Sequence, residues 1–253
     1  MRAAAPLLGL AAWILAFSAG WAATRPMFAP DLQARGAALA KLGDCMVCHT
    51  APGGKPYAGG GAVPTPFGVV YGTNITPDLD TGIGRWSLAD FDKALRRGTR
   101  RGGAPLYPAM PYDHYSALTA ADVQALYAFM MTREPVRAAP PGNRLVPPLG
   151  FRPLLYIWKA LFFHPAAPPP ERGQYLVETL GHCGACHTPH GWLGDEQRAK
   201  ALDGGWAEGW YAPPLNAASP ASSAWTEERL YLYLRTGLDP AHAASAGCIW
   251  RDT

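Results

Sequence analysis

The chain has 253 residues, of which 49% are hydrophobic, and its formal net charge is +3. This length accommodates one large domain or two small ones with a packed core. The weak positive charge gives no reason to expect a nucleic-acid partner. Glycine and proline are frequent, at 28 and 26 residues, which indicates many loops and few long regular elements.

The chain begins with a pattern typical of an export signal. Arg2 supplies a positive start, an apolar run extends from Leu7 to Phe17, and small residues surround Ala22. We therefore expect residues 1–22 to be a signal peptide that is cut after Ala22. An uncleaved anchor helix stays open as the alternative, although the apolar run is shorter than the roughly 20 residues that span a bilayer.

The first element after this signal is predicted to be a helix over residues 31–42. Asp31 is the expected N-cap, apolar residues recur at helical spacing, and Gly43 is expected to end the helix. A stretch rich in glycine and proline, residues 50–84, contains few helix formers and is predicted to be a loop.

Two pentapeptides of the form C-x-x-C-H are the most informative feature of the chain. Two thiols three residues apart on one helical turn can each form a thioether with a vinyl group of haem, and the following histidine can then ligate the iron. The sequence therefore predicts two covalently bound haems c. The candidate residues are Cys45, Cys48 and His49 in the first half and Cys183, Cys186 and His187 in the second.

Two other interpretations of the cysteine pairs remain open. Two C-x-x-C pairs can build a zinc site, and a single pair can be a redox dithiol. Neither of these sites needs a histidine directly after both pairs, which favours haem. Haem c is attached outside the bacterial cytoplasm, in agreement with the export signal, so we expect the mature chain in the periplasm. The fifth cysteine, Cys248, has no assigned role.

Met110 is the predicted distal ligand of the first iron. It lies in a proline-braced loop between a helix that ends at Arg97, with Ser87 as its cap, and a helix that Thr119 caps. This order of elements is that of a small c-type cytochrome, and a neutral thioether ligand raises the potential of the haem. Met46 lies inside the first pentapeptide and cannot reach the opposite face. The two remaining nearby methionines, Met130 and Met131, are expected to pack in the core.

A proline-rich segment, residues 138–170, is predicted to link two domains. Within it, residues 154–163 are apolar and aromatic but too few to span a bilayer. Packing against a domain is one interpretation of these residues, and contact with a partner or with a membrane surface is the other.

The second half of the chain repeats the first. Cys183 parallels Cys45 at an offset of 138 residues, and Trp225 parallels Trp86 at an offset of 139. A steady offset indicates a tandem pair of one domain type. We therefore predict a mainly α fold of two class I-like cytochrome c domains, residues 23–137 and 171–253, on either side of the linker.

The second domain is predicted to be incomplete. The offset of 139 carries Met110 onto Ile249, which cannot ligate iron, and no methionine follows Met131. The counterpart of the first domain's closing helix would fall beyond Thr253. The side chains expected to lose their cover are Tyr175, Leu176 and Leu180.

Several stretches of the chain carry a family resemblance. They are Gly43–Gly54, Asn74–Asp78, Gly82–Trp86, Tyr107–Tyr112, Gly181–Pro189 and Gly209–Pro213. In these stretches the sequence resembles the multihaem cytochrome c subunit of membrane-bound bacterial dehydrogenases, which act on alcohols, gluconate, sorbitol, aldehydes or nicotinate-like substrates. The resemblance covers residues 31 to 247.

The resemblance implies a subunit that transfers electrons and performs no catalysis of its own. Such a subunit takes electrons from a catalytic dehydrogenase partner and passes them to quinone or a terminal oxidase, at or near the periplasmic face of the inner membrane. These subunits usually carry three haems, whereas this chain has two pentapeptides.

A second class of function stays open at this point. A free-standing dihaem enzyme, peroxidase-like or sulfur-oxidising, would use a five-coordinate second haem for chemistry. Isoleucine at position 249 favours this alternative. The family resemblance and the complete ligand set of the first half favour electron transfer.

Overall fold

The computed structural model describes residues 27–207, 209–217, 219, 225–239 and 242–243, and this part of the chain is mainly helical. The predicted signal peptide, Cys248 and Ile249 lie outside the described residues. None of the helices within the described part is long and apolar enough to cross a bilayer.

Five helices build the first half. They are α1 (Pro30–Leu42), α2 (Cys45–His49), α3 (Leu88–Arg97), α4 (Tyr112–Tyr115) and α5 (Ala120–Met131). Met130 and Met131 are buried in the core that α5 forms with α1 and α3, so the prediction that they pack there is confirmed. Burial of apolar side chains of this size is the main favourable term of folding.

The helix ends show which predictions local chemistry supports. Ser87 caps α3 through a capping box with Asp90, and the Thr119 side chain caps α5, as predicted. Gly43 ends α1, also as predicted. The expected cap at Asp31 is wrong, because α1 already begins at Pro30, whose fixed φ suits the first helical position.

The close crossing of α1 and α5 depends on one glycine. A Cβ on Gly36 would lie 2.0 Å from the carbonyl oxygen of Ala125 on α5. No side chain fits in that space, so the two helices approach backbone to backbone at this point.

The stretch predicted as a loop contains a hairpin. Strands β1 (Ala62–Thr65) and β2 (Gly68–Tyr71) pair antiparallel, with Val63 opposite Val70. A third strand, β3 (Arg144–Leu145), pairs antiparallel with β2. The strands are too short for a clear period-two pattern within the surrounding glycines and prolines, which is why the sequence indicated only a loop.

Part of the proline-rich segment packs on the first half. Besides β3, it contains helix α6 (Leu154–Phe162), in which Leu155 is buried. The Lys159 ammonium donates hydrogen bonds to the carbonyls of Arg97 and Gly98 at the end of α3. For residues 154–163 the structure therefore includes the domain-packing interpretation, while Ile157 and Leu161 on α6 remain exposed.

The second half repeats the order of elements around the second pentapeptide. Helix α7 (Arg172–Tyr175) continues as a π-helical turn and is followed by helix α8, a hairpin and helix α9. The remaining bounds are Leu176–Leu180 for the π-helical turn, Gly184–His187 for α8, Arg198–Lys200 for a 3₁₀ turn, Gly205–Ala207 for β4, Trp210–Ala212 for β5, Glu227–Thr236 for α9, Leu238–Asp239 for β6 and His242–Ala243 for β7.

The two third helices end in the same way but differ in burial. Thr226 caps α9 and Gly237 ends it with a positive φ, as Ser87 and Gly98 do for α3. Whereas α3 buries Phe91 and Ala94, α9 buries none of its residues. Among the described residues no helix covers α9 in the way that α5 covers α3.

The expectation that the first helix of the second half is exposed is wrong. Tyr175 and Leu180 are only 6% and 1% exposed, because both pack into the hydrophobic core of the first half. The Tyr175 hydroxyl donates a 2.6 Å hydrogen bond to Asp122 on α5. The first half therefore supplies the cover that the sequence comparison predicted to be missing.

Candidate haem-attachment sites

The first pentapeptide forms its own short helix, α2. The chain leaves α1 at Gly43 and turns through Asp44, whose φ of 49° is left-handed. The Cys45 side chain then packs against the hydrophobic core, and Cys48 lies one helical turn further along. This turn of helix gives the two thiols the spacing that two thioether bonds to one haem require.

His49 is oriented for metal ligation. Its Nδ1 lies 2.6 Å from the carbonyl oxygen of Thr73, to which the ring N–H donates. This bond leaves Nε2 with the lone pair that an iron ligand needs. Burial lowers the pKa of His49 more than the Thr73 carbonyl raises it, so the imidazole is neutral at pH 7.

Glycines hold the backbone of the hairpin directly against the first pentapeptide. A Cβ on Gly72 would lie 1.7 Å from the carbonyl oxygen of Cys48, and a Cβ on Gly61 would lie 2.4 Å from the same atom. The N–H of Gly59 donates a 2.7 Å hydrogen bond to the carbonyl of His49. Only glycine permits such an approach, which explains the composition of this stretch.

The second pentapeptide repeats the turn and the histidine geometry of the first. His182, in the position of Asp44, also has a left-handed φ, of 37°. The Nδ1 of His187 lies 2.6 Å from the carbonyl oxygen of Pro213, the same distance as in the first half. Nε2 of His187 is therefore also left for a metal.

The backbone cradle is repeated as well. The N–H of Gly204 donates a 2.8 Å hydrogen bond to the carbonyl of His187. A Cβ on Gly205 would lie 2.7 Å from the carbonyl oxygen of Cys186. In both halves, then, a glycine at the start of an antiparallel hairpin supports the pentapeptide.

The donor set of each site fits haem c. Each offers two thiols at thioether spacing and one imidazole whose Nδ1 is occupied by a carbonyl. Bound there, haem supplies one-electron redox chemistry of its iron. The redox-dithiol alternative fits poorly, because burial, with the nearby Cys48 and Asp44, raises the pKa of the Cys45 thiol to about 12, whereas a reactive dithiol needs a lowered pKa.

Met110 lies in the turn before α4. Its N–H donates to the carbonyl of Tyr107 at 3.1 Å, and its own carbonyl accepts from Tyr112 at 2.7 Å. The Met110 side chain packs against the same hydrophobic core as Cys45. Met46 is 39% exposed, as expected for a residue that points away from the site. The assignment of Met110 as the iron ligand stays a prediction.

Sequence reasoning missed the carbonyl partners of both histidines. Thr73 and Pro213 lie 24 and 26 residues beyond His49 and His187. Any residue type can offer a backbone carbonyl, so no residue pattern marks these two positions. Only their similar distance from each pentapeptide within the repeat hints at a shared role.

Comparison with known proteins identifies the family. The sequence profile of the cytochrome c family matches residues 33–134. The chain is 47% identical over 222 residues to a subunit of nicotinate dehydrogenase from Pseudomonas putida, which covers 84% of this chain and 19% of that protein. It is 44% identical over 225 residues to the fructose dehydrogenase cytochrome subunit of Gluconobacter japonicus, covering 84% of this chain and 46% of that subunit.

A further relative is matched over most of its length. The chain is 38% identical over 260 residues to a protein of Cereibacter sphaeroides named "Diheme cytochrome c-type", covering 94% of this chain and 87% of that protein. The chain spans less than half the length of the two dehydrogenase subunits above. With its two C-x-x-C-H sites, the chain therefore belongs to the c-type cytochromes that include the cytochrome c subunits of membrane-bound dehydrogenases, a family whose cofactor is covalently bound haem c.

Proposed function

We propose that this chain binds two haems c and carries electrons from a catalytic dehydrogenase subunit to quinone or a terminal oxidase. One haem is attached through Cys45 and Cys48, and the other through Cys183 and Cys186. The observation that carries this proposal is the repeated histidine geometry, a 2.6 Å bond from Nδ1 to a backbone carbonyl in each half.

The chain's residues hold and tune the cofactor in this function. His49 and His187 ligate the two irons through Nε2, and Met110 completes the coordination of the first. A methionine ligand raises the potential of a haem. The first haem is therefore the better electron acceptor of the two.

The architecture that goes with this function is a tandem pair of cytochrome c domains, residues 23–137 and 171–253, joined by residues 138–170. The repeated left-handed turn before each pentapeptide supports this division. So do the matching caps of α3 and α9.

The partner and the location follow from different observations. The names of relatives such as the fructose dehydrogenase cytochrome subunit support a catalytic dehydrogenase as the partner. The export pattern of residues 1–22 supports a periplasmic location, with attachment to the inner membrane through that partner or at its surface. Transfer to quinone or an oxidase then places the chain in a respiratory route.

A redox titration of the purified, haem-loaded protein tests the electron-transfer role. We expect two reversible one-electron steps at separate potentials, because only one of the two irons has a methionine ligand. The purified chain alone should not turn over peroxide or thiosulfate. Irreversible steps, or steady turnover of either compound, would count against a carrier.

The alternative of a free-standing dihaem enzyme rests on one observation. The repeat places isoleucine where the first half has Met110, and no methionine follows position 131. A five-coordinate iron in the second half would bind carbon monoxide readily when reduced. Carbon monoxide binding together with peroxide turnover would favour the enzyme, whereas binding without turnover would keep the carrier with an open second site.

A further inference from the structure

The two attachment sites meet at a junction of buried polar side chains. Helix α4 of the first half lies against the end of the π-helical turn and the start of the second pentapeptide. Gly43, which leads into the first pentapeptide, contacts Leu180: a Cβ on Gly43 would lie 3.3 Å from Cδ1 of Leu180. The segments that lead into the two haem sites are therefore in direct contact.

His114 on α4 joins the two halves through both of its ring nitrogens. Its Nδ1 lies 2.7 Å from the carbonyl oxygen of Glu178, and its Nε2 lies 2.6 Å from Oε1 of Glu196. The His114 and Glu196 side chains are only 12% and 13% exposed. Both hydrogen bonds cross from the first half to the second, at sequence separations of 64 and 82 residues.

The second pentapeptide leaves room for this ring. A Cβ on Gly184 would lie 3.0 Å from Cε1 of His114, so the glycine lets the imidazole rest on the first turn of α8. Gly184 lies between the two cysteines of the second site. His114 thus contacts the attachment helix itself and not merely the surface of the second half.

An aromatic contact next to His114 links the same two segments. The Tyr115 and His182 rings pack edge to face, with centroids 5.6 Å apart. The Tyr115 hydroxyl donates a 3.0 Å hydrogen bond to the carbonyl of Gly43. Tyr115 therefore touches the residue two positions before Cys45 and also the residue directly before Cys183.

The charges at the junction favour a protonated His114. Burial lowers its pKa, but the hydrogen bond to Glu196 and the negative charges of Glu196 and Asp113 outweigh burial and raise the pKa to about 9. A histidine whose pKa is raised stabilises the fold while it is protonated, and this contribution is lost as the pH rises through about 9. The titratable and charged groups that face the pair are Asp113 on α4, His182 before α8, and His190 and Arg198 beside Glu196.

We propose that His114 is a positioning residue that fixes the second haem-attachment segment against the first, so that electrons pass directly between the two halves across the Tyr115–His182 contact. The proposal rests on the proposed function. In the step itself one electron leaves the ferrous iron of one half and reduces the ferric iron of the other, with no bond made or broken. His114 acts only on the relative placement of the two sites.

Pulsed photoreduction of the full haem-loaded protein tests this proposal. A photoreductant dye delivers one electron, and absorbance follows its redistribution between the two haems from pH 7 to pH 10. We expect redistribution to slow as the pH rises through about 9. The His114→Gln variant should be slow at every pH and lack the step, and Glu196→Gln, which keeps a hydrogen-bonding side chain, should lose the step as well. His164→Gln, at a histidine outside the junction, is the matched control.

A second readout separates placement from activity. Pulsed dipolar electron paramagnetic resonance measures the distribution of iron-to-iron distances in the oxidised protein. We expect a narrow distribution in the native protein at pH 7 and a broader one in His114→Gln. Unchanged rates and distances in the variant, or a pH step that persists without His114, would overturn the proposal. Either result can be obtained only if two haems are bound, so it leaves the proposed function standing.

Discussion

At the scale of single residues, the proposed redox behaviour depends most on the thioether of Met110. It is the methionine on the far side of the first haem that core packing and the pentapeptide leave available, since Met130 and Met131 are buried on α5 and Met46 lies within α2. A sulfur ligand stabilises the reduced iron relative to the oxidised iron. Loss of that ligand should therefore act on one haem only.

We predict that Met110→Leu lowers the potential of one of the two haems and removes the weak sulfur-to-iron absorption band of the oxidised protein. Axial ligands move haem potentials within a range of about 0.8 V, so the shift should be resolved easily in a redox titration. Met130→Leu makes the same chemical change at a buried core position and should leave the band and both potentials in place. If Met110→Leu retains both, another residue ligates the first iron.

Asp122 is the residue through which the first helix of the second half is anchored. It accepts hydrogen bonds from Tyr175 at 2.6 Å and from Arg35 at 2.7 Å, and only 3% of its side chain is exposed. Burial raises its pKa, but these hydrogen bonds outweigh burial and hold the pKa below the ordinary value of a carboxyl. The stabilisation is therefore present above the ordinary carboxyl pKa and is lost as the pH falls through the lowered one.

Tyr175→Phe should cost about 1.5–3 kcal/mol of unfolding free energy at pH 7, the usual loss for a hydrogen bond to a charged group. Thermal or urea unfolding of the haem-loaded protein measures this cost. Tyr156→Phe removes a hydroxyl from an exposed tyrosine of α6 and should change stability by less than about 0.5 kcal/mol. Equal effects of the two substitutions would show that the bond to Asp122 does not anchor the second half.

At the scale of elements, the repeat is most informative where the two halves differ. Gly36 on α1 and Gly173 on α7 occupy matching positions, in the stretches Arg35-Gly36 and Arg172-Gly173. A Cβ on Gly36 would meet the backbone of α5, whereas a Cβ on Gly173 would meet nothing within 4 Å among the described residues. The same residue type therefore has different roles in the two halves.

Gly36→Ala should destabilise the protein by about 1–3 kcal/mol, because the added methyl group forces α1 and α5 apart. Gly173→Ala should be neutral or stabilise by up to about 1 kcal/mol, because alanine favours a helix more than glycine does. Chemical unfolding of the two variants beside the native protein measures both values. Destabilisation by Gly173→Ala would mean that a further element covers α7.

The elements also show what a sequence can predict. Ser87 and Thr119 were predicted as caps because a cap is a local matter of one hydroxyl and one backbone N–H three residues away. The hairpin of β1 and β2 was missed because its strands are short and lie among glycines that serve the pentapeptide rather than the strands. The chemistry of a stretch thus concealed its secondary structure.

At the scale of the whole molecule, the junction between the halves lay beyond sequence reasoning. His114 and Glu196 are 82 residues apart and belong to different repeats, so no spacing rule joins them. The prediction that Tyr175 and Leu180 are exposed failed for the same reason, since it treated the second half as a separate unit. The candidate ligands of each haem could be predicted because most of them lie within one pentapeptide, whereas the relation between the two sites depends on the tertiary fold.

The number of haems on the chain decides whether it is a two-haem carrier, and mass spectrometry of the denatured protein, after export with a working cytochrome maturation system, counts them. We expect the mass of the mature chain plus two haem masses. Replacing Cys45 and Cys48 together, or Cys183 and Cys186 together, by alanine should leave one haem mass in each case. An unmodified chain, or a native protein with a single haem mass alongside a fully matured control cytochrome, would show that the chain is not a dihaem cytochrome.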